Sequence, residues 1–239
     1  NQGAGIQNNG VLTMTNCAIT NNSGPSGGDG GGVISFGTST TLTNCTISSN
    51  QVFGNGGGIS INAGTLQMTN CTLTNNQAKT GGVGGGLSVG AASNNVLLKN
   101  TLIIGNTANG GSNEIFLNNG GTVNGASVNN LIGASGTGGL VNGTNGNQVG
   151  VSLANALLGS LGNYGGTTNT IALLPGSPAI NAGTSTGAPA SDQRGIARVG
   201  SVDIGAFESR GFTLAVSSGN NQSATVSTAF AAPVSVTVT

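Results

Sequence analysis

Charged side chains are rare in this 239-residue chain, and six of the ten fall between residues 192 and 210. They are Asp192, Arg194, Arg198, Asp203, Glu208 and Arg210. Carboxylates that flank one bond are what glycoside hydrolysis requires, so acid–base chemistry would have to use this cluster. The alternative is an ion-paired network that closes the last coil of a repetitive fold, where strand edges need partners. We favour the network, formed by Asp192, Arg194, Arg198, Asp203 and Glu208, because a fold alone does not establish catalysis. Over residues 1–113 the only carboxylate is Asp29, so the repeats offer no catalytic pair.

The three cysteines are the other side chains capable of chemistry, and they are spaced 28 and 26 residues apart. They are Cys17, Cys45 and Cys71. An odd number of cysteines at one repeat position is not a disulfide framework, and parallel in-register side chains fit the disulfide dihedral poorly. The chain has no histidine, which weakens a metal site. We therefore predict free thiols that point into the core beside the aliphatic side chains of the same repeats, Ile19, Ile47 and Leu73.

The cysteines mark a repeat. The phrase GGGISINAGTLQMTNCTLTNN at 56–76 recurs from Gly3 and Gly30 and, more loosely, from Gly84, where Thr101 takes the cysteine position. A period of 26–30 residues is typical of a solenoid. Within each copy, apolar and polar residues alternate over three short runs, which predicts half-buried strands. Such strands bury a face only when successive copies stack in parallel, so we predict an all-β parallel β-helix with three short strands per coil.

Two asparagine positions recur with this period. One set, Asn16, Asn44, Asn70 and Asn100, precedes the cysteine position, and the other, Asn22, Asn50, Asn76 and Asn106, closes each copy. Equivalent residues in stacked coils lie about 4.8 Å apart, so amides can hydrogen-bond from coil to coil and tolerate left-handed turns. We interpret both sets as structural ladders. The glycine triplets lead into strands rather than helices, which excludes a phosphate-binding loop.

The composition of the chain limits the kinds of partner that it can bind. Charged residues make up 4% of the chain, against about 25% in an ordinary soluble domain, and the net charge is zero. A neutral surface lacks the basic footprint of a nucleic-acid-binding protein, and low charge favours self-association. No run of 18 apolar residues occurs, so we predict no membrane span. The sequence shows no signal peptide, and we predict no cofactor. The chain starts in mid-repeat at Asn1, as expected of a mature fragment or a piece of something longer.

Beyond the regular repeats of residues 3–113 the period blurs, but Asn-Gly turns continue, so we predict irregular coils over 114–175. The motifs NLIG at 130–133, LGNYGGTTNTIALLPGSPAINAG at 161–183, DQRG at 192–195 and VDIGAFE at 202–208 resemble those of bacterial choice-of-anchor Q proteins. The resemblance covers most of residues 3–209, with Thr167 and Thr168 departing from it. It implies a right-handed parallel β-helix over residues 1–209, export, and display at the cell envelope without a defined catalytic activity.

The last segment, residues 210–239, has a different composition, with alternating runs at 212–216, 224–227 and 234–239. It resembles the opening strands of an Ig-like module. Thirty residues cannot close a β-sandwich, so these strands must find an edge on this solenoid or on another chain.

Three functions compete. The first is a non-enzymatic extracellular structural or adhesive solenoid, displayed at the bacterial surface or assembling end to end into a fibre, with itself or a surface polysaccharide as partner. The second is a carbohydrate-binding or polysaccharide-degrading β-helix. The third is an ice- or surface-binding solenoid, for which outward threonines are needed. Thr46 with Ser48, and Thr72 with Thr74, begin such an array in the sequence, but its continuation at Ala18, Leu102 and Ile104 interrupts it.

Overall fold

The computed structural model describes residues 3, 5–111 and 113–238, and they form two compact units, residues 1–209 and 210–239. The first unit is a parallel β-solenoid of about four turns. This confirms the prediction of an all-β parallel β-helix.

The strands of the four regular coils follow the repeat. The first coil contains β1 (Ile6–Asn8), β2 (Val11–Thr15) and β3 (Ala18–Thr20). The second contains β4 (Val33–Ser35), β5 (Ser39–Thr43), β6 (Thr46–Ser48) and β7 (Gln51–Val52). The third contains β8 (Ile59–Thr69), β9 (Thr72–Thr74) and β10 (Gln77–Ala78), and the fourth β11 (Leu87–Lys99), β12 (Leu102–Ile103) and β13 (Thr107–Ala108). With 11 and 13 residues, β8 and β11 are longer than the short strands expected, because each runs through two strand positions of the earlier coils.

Three parallel sheets run along the solenoid. The first sheet contains β1, β4, β8, β11 and β14 (Ile115–Leu117), and in the same sheet β2 pairs with β5, which pairs with the second half of β8. The second sheet runs from β3 through β6, β9 and β12 to β15 (Leu131–Gly133) and β16 (Gln148–Val151). The third sheet contains β7, β10 and β13. The anchor residues of successive repeats pair directly, as in Ile47 with Leu73, so the sequence period is the structural period.

The core lies between these sheets and is made of aliphatic ladders. Leu42 and Met68 pair in register, as do Met68 and Leu98, and all three are buried. Burying such a side chain is worth about 1.5–3 kcal/mol. A core built from small aliphatics therefore suffices for a chain in which aromatic residues are only 3%.

The coils end at β16, and the prediction of coils through about residue 175 is wrong. Ser152 caps a one-turn helix, α1 (Leu153–Ala156), by accepting a hydrogen bond from the Asn155 N–H. An antiparallel hairpin of β17 (Leu158–Gly162) and β18 (Thr170–Leu173) follows. Both a hairpin and a coil show alternating residues and glycine-rich turns, so the pattern alone could not distinguish them.

Residues 158–209, called here the C-terminal segment, pack on the outward face of the second sheet. A second apolar cluster joins Leu102, Ile104 and Leu131 of the sheet to residues of the segment, Ala172, Leu173, Ala179, Ile204 and Phe207. This packing explains why aliphatic residues occupy outward positions of the solenoid, because later residues of the same chain cover them.

The second unit is a small antiparallel pair, β19 (Leu214–Ser218) and β20 (Ser235–Val238). Two of the three predicted strand segments are present in this pair, but residues 224–227 form no strand, and Thr239 lies outside the described residues. Most side chains described in this unit are exposed.

Candidate functional site

The first asparagine ladder lies at the turn between the first and second sheets. Its four residues, Asn16, Asn44, Asn70 and Asn100, all have positive φ, from 47° to 56°. The Asn44 Nδ2 donates to Asn16 Oδ1 at 3.1 Å, which links two coils. The same amides also bind the C-terminal segment, since Asn44 Nδ2 donates to Ser191 O at 2.8 Å and Asn100 Nδ2 to Thr184 O at 2.9 Å. This ladder is therefore both a turn fixture and the docking edge of the segment.

The second asparagine ladder is continuous along the solenoid. The Nδ2–Oδ1 distances are 2.8 Å from Asn22 to Asn50, 3.0 Å from Asn50 to Asn76 and 2.9 Å from Asn76 to Asn106. Each Oδ1 also accepts the backbone N–H of the asparagine in the preceding coil, as at 3.1 Å from Asn22 N to Asn50. Each asparagine of the ladder thus provides hydrogen-bond partners for main-chain and side-chain groups in an interior with little water.

Glu114 forms the last rung of this second ladder, a position that the asparagine repeat does not predict. Its Oε2 accepts from Asn106 Nδ2 at 2.7 Å, and its Oε1 accepts from the Gly105 N–H at 3.0 Å. The side chain is buried, and burial raises the pKa of Glu114 from 4.5 to about 7 despite these hydrogen bonds. The sequence feature that could have indicated this contact is a lone carboxylate eight residues after the ladder residue Asn106.

The cysteines form a stack at one corner of the core. Cys45 and Cys71 are buried, Cys17 is half-buried, and all three thiols are free. They belong to the core cluster that contains Ile19, Ile47 and Leu73. Burial raises the pKa of the Cys71 thiol well above its ordinary value of 9.0 and also raises that of Cys17. Since the thiolate is the reactive form, Cys71 is positioned as a core side chain rather than a nucleophile.

The charged cluster forms a buried network with two ion pairs. Arg194 Nη2 lies 2.6 Å from Asp192 Oδ2, and Arg198 Nη1 lies 2.7 Å from Glu208 Oε2. The two pairs are joined because the Glu208 N–H donates to Asp192 Oδ2 at 3.0 Å. The Arg194 guanidinium also stacks 3.7 Å from the centroid of the Phe207 ring.

Asp203 joins the network through hydrogen bonds, and within the described part of the chain it has no ion-pair partner of its own. Its Oδ1 accepts from the Asn181 N–H at 2.7 Å, its Oδ2 accepts from the Ser209 N–H, and its own N–H donates to Glu208 Oε2 at 3.0 Å. Burial raises the pKa of Asp203 from 3.8 to about 6. Breaking one partner of such a buried set costs about 3–5 kcal/mol, so the arrangement suits a structural role.

The network does not close the last coil, which corrects that part of the prediction. It lies beside the early coils, where Arg198 Nη2 donates to Asn44 Oδ1 at 3.0 Å. The reason is that the C-terminal segment runs back along the second sheet rather than continuing the helix. Its charges therefore fasten the segment to the side of the solenoid.

The threonines expected to form an outward array are covered by the C-terminal segment. Thr46 Oγ1 lies 2.9 Å from Thr170 Oγ1 and 2.6 Å from Gln193 Oε1, while Thr72 Oγ1 accepts from the Ala206 N–H at 3.0 Å. All four side chains of that array, Thr46, Ser48, Thr72 and Thr74, are buried. This stripe is therefore a docking surface within the chain and is not available to an external ligand.

Two clefts open where α1 meets the coils, on either side of Leu153. One, of about 250 Å³, is lined by Thr74, Asn75, Leu153, Leu158, Gly159, Ser160 and Ile171. The other, of about 320 Å³, is lined in part by Glu114, Asn106 and Ser135. Neither brings two carboxylates together, which is the geometry that glycoside hydrolysis needs.

Across the described ranges, no three cysteine, aspartate or glutamate side chains converge as metal ligands. No helix in the same residues has the length and apolar character to cross a membrane. Neither a protein-family model, nor a curated protein, nor a solved structure matches this chain.

Proposed function

We propose that this chain is a non-enzymatic, extracellular structural or adhesive β-solenoid that associates end to end at a bacterial cell surface. The observation that carries the proposal is the small number of charges on the surface, and the contact that we propose lies at the edge of the first coil. Ile6, Leu12 and Met14 point toward the core but are only partly buried, whereas their partners one coil on are fully buried, namely Val33, Thr40 and Leu42. Another coil stacked on this edge would bury them and pair the free strand groups.

The surface chemistry supports association. Like charges at an edge normally keep open strands apart, and this chain has very few charges to do so. The contact would join one end of a solenoid to a different surface of its neighbour. Such heterologous contacts do not close, and they therefore propagate into fibres.

The positions of the carboxylates support a non-enzymatic role. Asp29 accepts from the Asn55 N–H at 2.6 Å, and the other four, Glu114, Asp192, Asp203 and Glu208, are buried acceptors of the contacts described above. Export and surface display are supported by the motifs at 161–183, 192–195 and 202–208 that resemble choice-of-anchor Q proteins.

A charge placed on the open edge tests the association. Leu12→Lys puts an ammonium group among the core-facing residues of β2, and Val11→Lys makes the same charge change at the neighbouring outward position, which is 73% exposed. We expect the wild-type chain and Val11→Lys to form rods or fibres in electron micrographs and to scatter light as large particles at high concentration. Leu12→Lys should remain monomeric. A wild-type chain that stays monomeric, or two variants that behave alike, would refute end-to-end association.

A polysaccharide-degrading function has one observation in its favour, which is the raised pKa of Glu114 at the edge of a cleft. The test is turnover of a polysaccharide panel by the full chain. We expect none. Turnover that disappears in Glu114→Gln or in Asp203→Asn would replace the structural proposal.

A further inference from the structure

A grid of hydroxyl groups covers part of the outward face of the first sheet. It consists of the outward positions of β2, β5 and the second half of β8, three on each strand. These are Val11, Thr13 and Thr15; Ser39, Thr41 and Thr43; and Thr65, Gln67 and Thr69. Seven of these nine side chains carry a hydroxyl group. We refer to this set as the hydroxyl grid.

The grid is regular in two directions. Thr13 pairs with Thr41, and Thr15 with Thr43 and then Thr69, with no bulge between β2 and β5 or between β5 and β8 over these residues. Neighbouring parallel strands lie about 4.8 Å apart, and alternate residues along one strand lie about 6.6 Å apart. An array with two fixed repeats can match over its whole area only a ligand that is itself periodic.

The grid is also exposed and rigid. Its members are half-buried or exposed, while the residues between them on the same strands point into the core and, in β5 and β8, are buried, as Leu42, Leu66 and Met68 are. In the described part of the chain, the grid hydroxyls take part in no side-chain hydrogen bond. Threonine is stiff at χ1, so its hydroxyl and methyl groups need little ordering when a ligand binds.

The chemistry of the grid selects an uncharged, periodic ligand. None of the nine side chains is charged or aromatic, which leaves nothing to pair with an ionic ligand or to stack on a sugar ring. A hydroxyl donates and accepts hydrogen bonds as water does, so a regular array can take the place of one layer of a water lattice. A single dissolved molecule would use only a small part of such an array.

We propose that the hydroxyl grid is an ice-binding face. It lies on the first sheet, away from the threonines of the second sheet that the C-terminal segment buries. The activity would be additional to a structural role, because the grid uses outward side chains and the proposed association uses the open coil edge.

The test uses the full chain and two tyrosine variants. Thr41→Tyr places a ring at the centre of the grid, and Thr107→Tyr makes the same change at an exposed position of β13 in the third sheet. Both are outward surface changes, and circular dichroism and thermal unfolding verify that each variant folds. The measurements are thermal hysteresis, ice-crystal shape and inhibition of ice recrystallisation.

We expect the wild-type chain and Thr107→Tyr to shape ice crystals and produce thermal hysteresis, and Thr41→Tyr to lose most of both. A wild-type chain without effect on ice overturns the proposal, as does equal activity in the two variants. Binding to crystalline cellulose or chitin that Thr41→Tyr abolishes, in the absence of ice activity, would assign the grid to a polysaccharide surface instead and would also overturn it.

Discussion

Replacing Glu114 by glutamine should flatten the dependence of stability on pH. In the folded chain burial raises the pKa of Glu114 from 4.5 to about 7, so between these values the folded state holds a proton that the unfolded state has released. A state that binds more protons is stabilised by acid. The contribution is therefore fully present below pH 4.5 and is lost as the pH rises through about 7.

The size of the effect follows from the shift. Each unit of pKa difference corresponds to about 1.4 kcal/mol, so Glu114 should lower the free energy of unfolding by about 3 kcal/mol between acid and neutral pH. Asp203 acts in the same direction but over a lower range, because its pKa is raised from 3.8 to about 6. Between pH 6 and 7 the slope should come mainly from Glu114.

Urea unfolding at a series of pH values from 4 to 8 measures both contributions. Glu114→Gln should remove the decline between pH 6 and 7, whatever offset it adds at all pH values. Asp203→Asn should make the decline below pH 6 shallower, because Glu114 still contributes there, and should keep the decline between pH 6 and 7. A wild-type chain whose stability is flat or rises from pH 5 to 7, or a Glu114→Gln chain that retains the slope, would refute the reasoning.

Three further predictions follow from the ladders and the tail. Titration of the denatured, non-reduced chain should find three free thiols, and a count of one would reveal a disulfide. Asn76→Ala should lower the free energy of unfolding by on the order of 3 kcal/mol, because the Ile47 carbonyl and the Asn50 N–H lose buried partners. The control is Gln67→Ala at an exposed position, which should change the free energy of unfolding by less than about 0.5 kcal/mol. Equal losses in the two variants would contradict a stabilising role of the ladder. Deleting residues 212–239 should abolish fibres if the tail docks as added strands on a neighbouring copy, and fibres that persist would show that the tail is not the joint.

The regular coils could be predicted from the sequence because their physics is local. Each repeat carries the alternation that sets strand faces, and the asparagine preceding Cys45 takes the left-handed turn that its side chain tolerates. The period then sets the register, as shown by the pairing of Ile47 with Leu73. None of this requires knowledge of contacts between distant parts of the chain.

The C-terminal segment could not be placed in this way, because its position depends on contacts far apart in sequence. In the sequence, Leu102 and Ile104 interrupt an outward threonine array, whereas in the structure they belong to the apolar surface on which residues 158–209 pack. Thr46 is polar because it meets Gln193, 147 residues away. Whether an outward residue is exposed or buried cannot be predicted until the segment that covers it is known. Glu114 adds a second difficulty, because it shows that a ladder can continue with a different residue type.

The burial of charge links the segment to the surface properties of the solenoid. Six of the ten charged side chains, those of Glu114, Asp192, Arg194, Arg198, Asp203 and Glu208, are largely withdrawn from solvent. Two carboxylates are neutralised by arginine, whereas Glu114 and Asp203 have no ion pair among the residues that the structure describes. These two are the carboxyl groups whose pKa burial raises. The exposed surface therefore carries still fewer charges than the composition indicates. Because so few charges repel an approaching surface, hydroxyl, amide and methyl groups must determine what the solenoid surface binds. Both proposed contacts, at the edge of the first coil and at the hydroxyl grid, require such an uncharged surface.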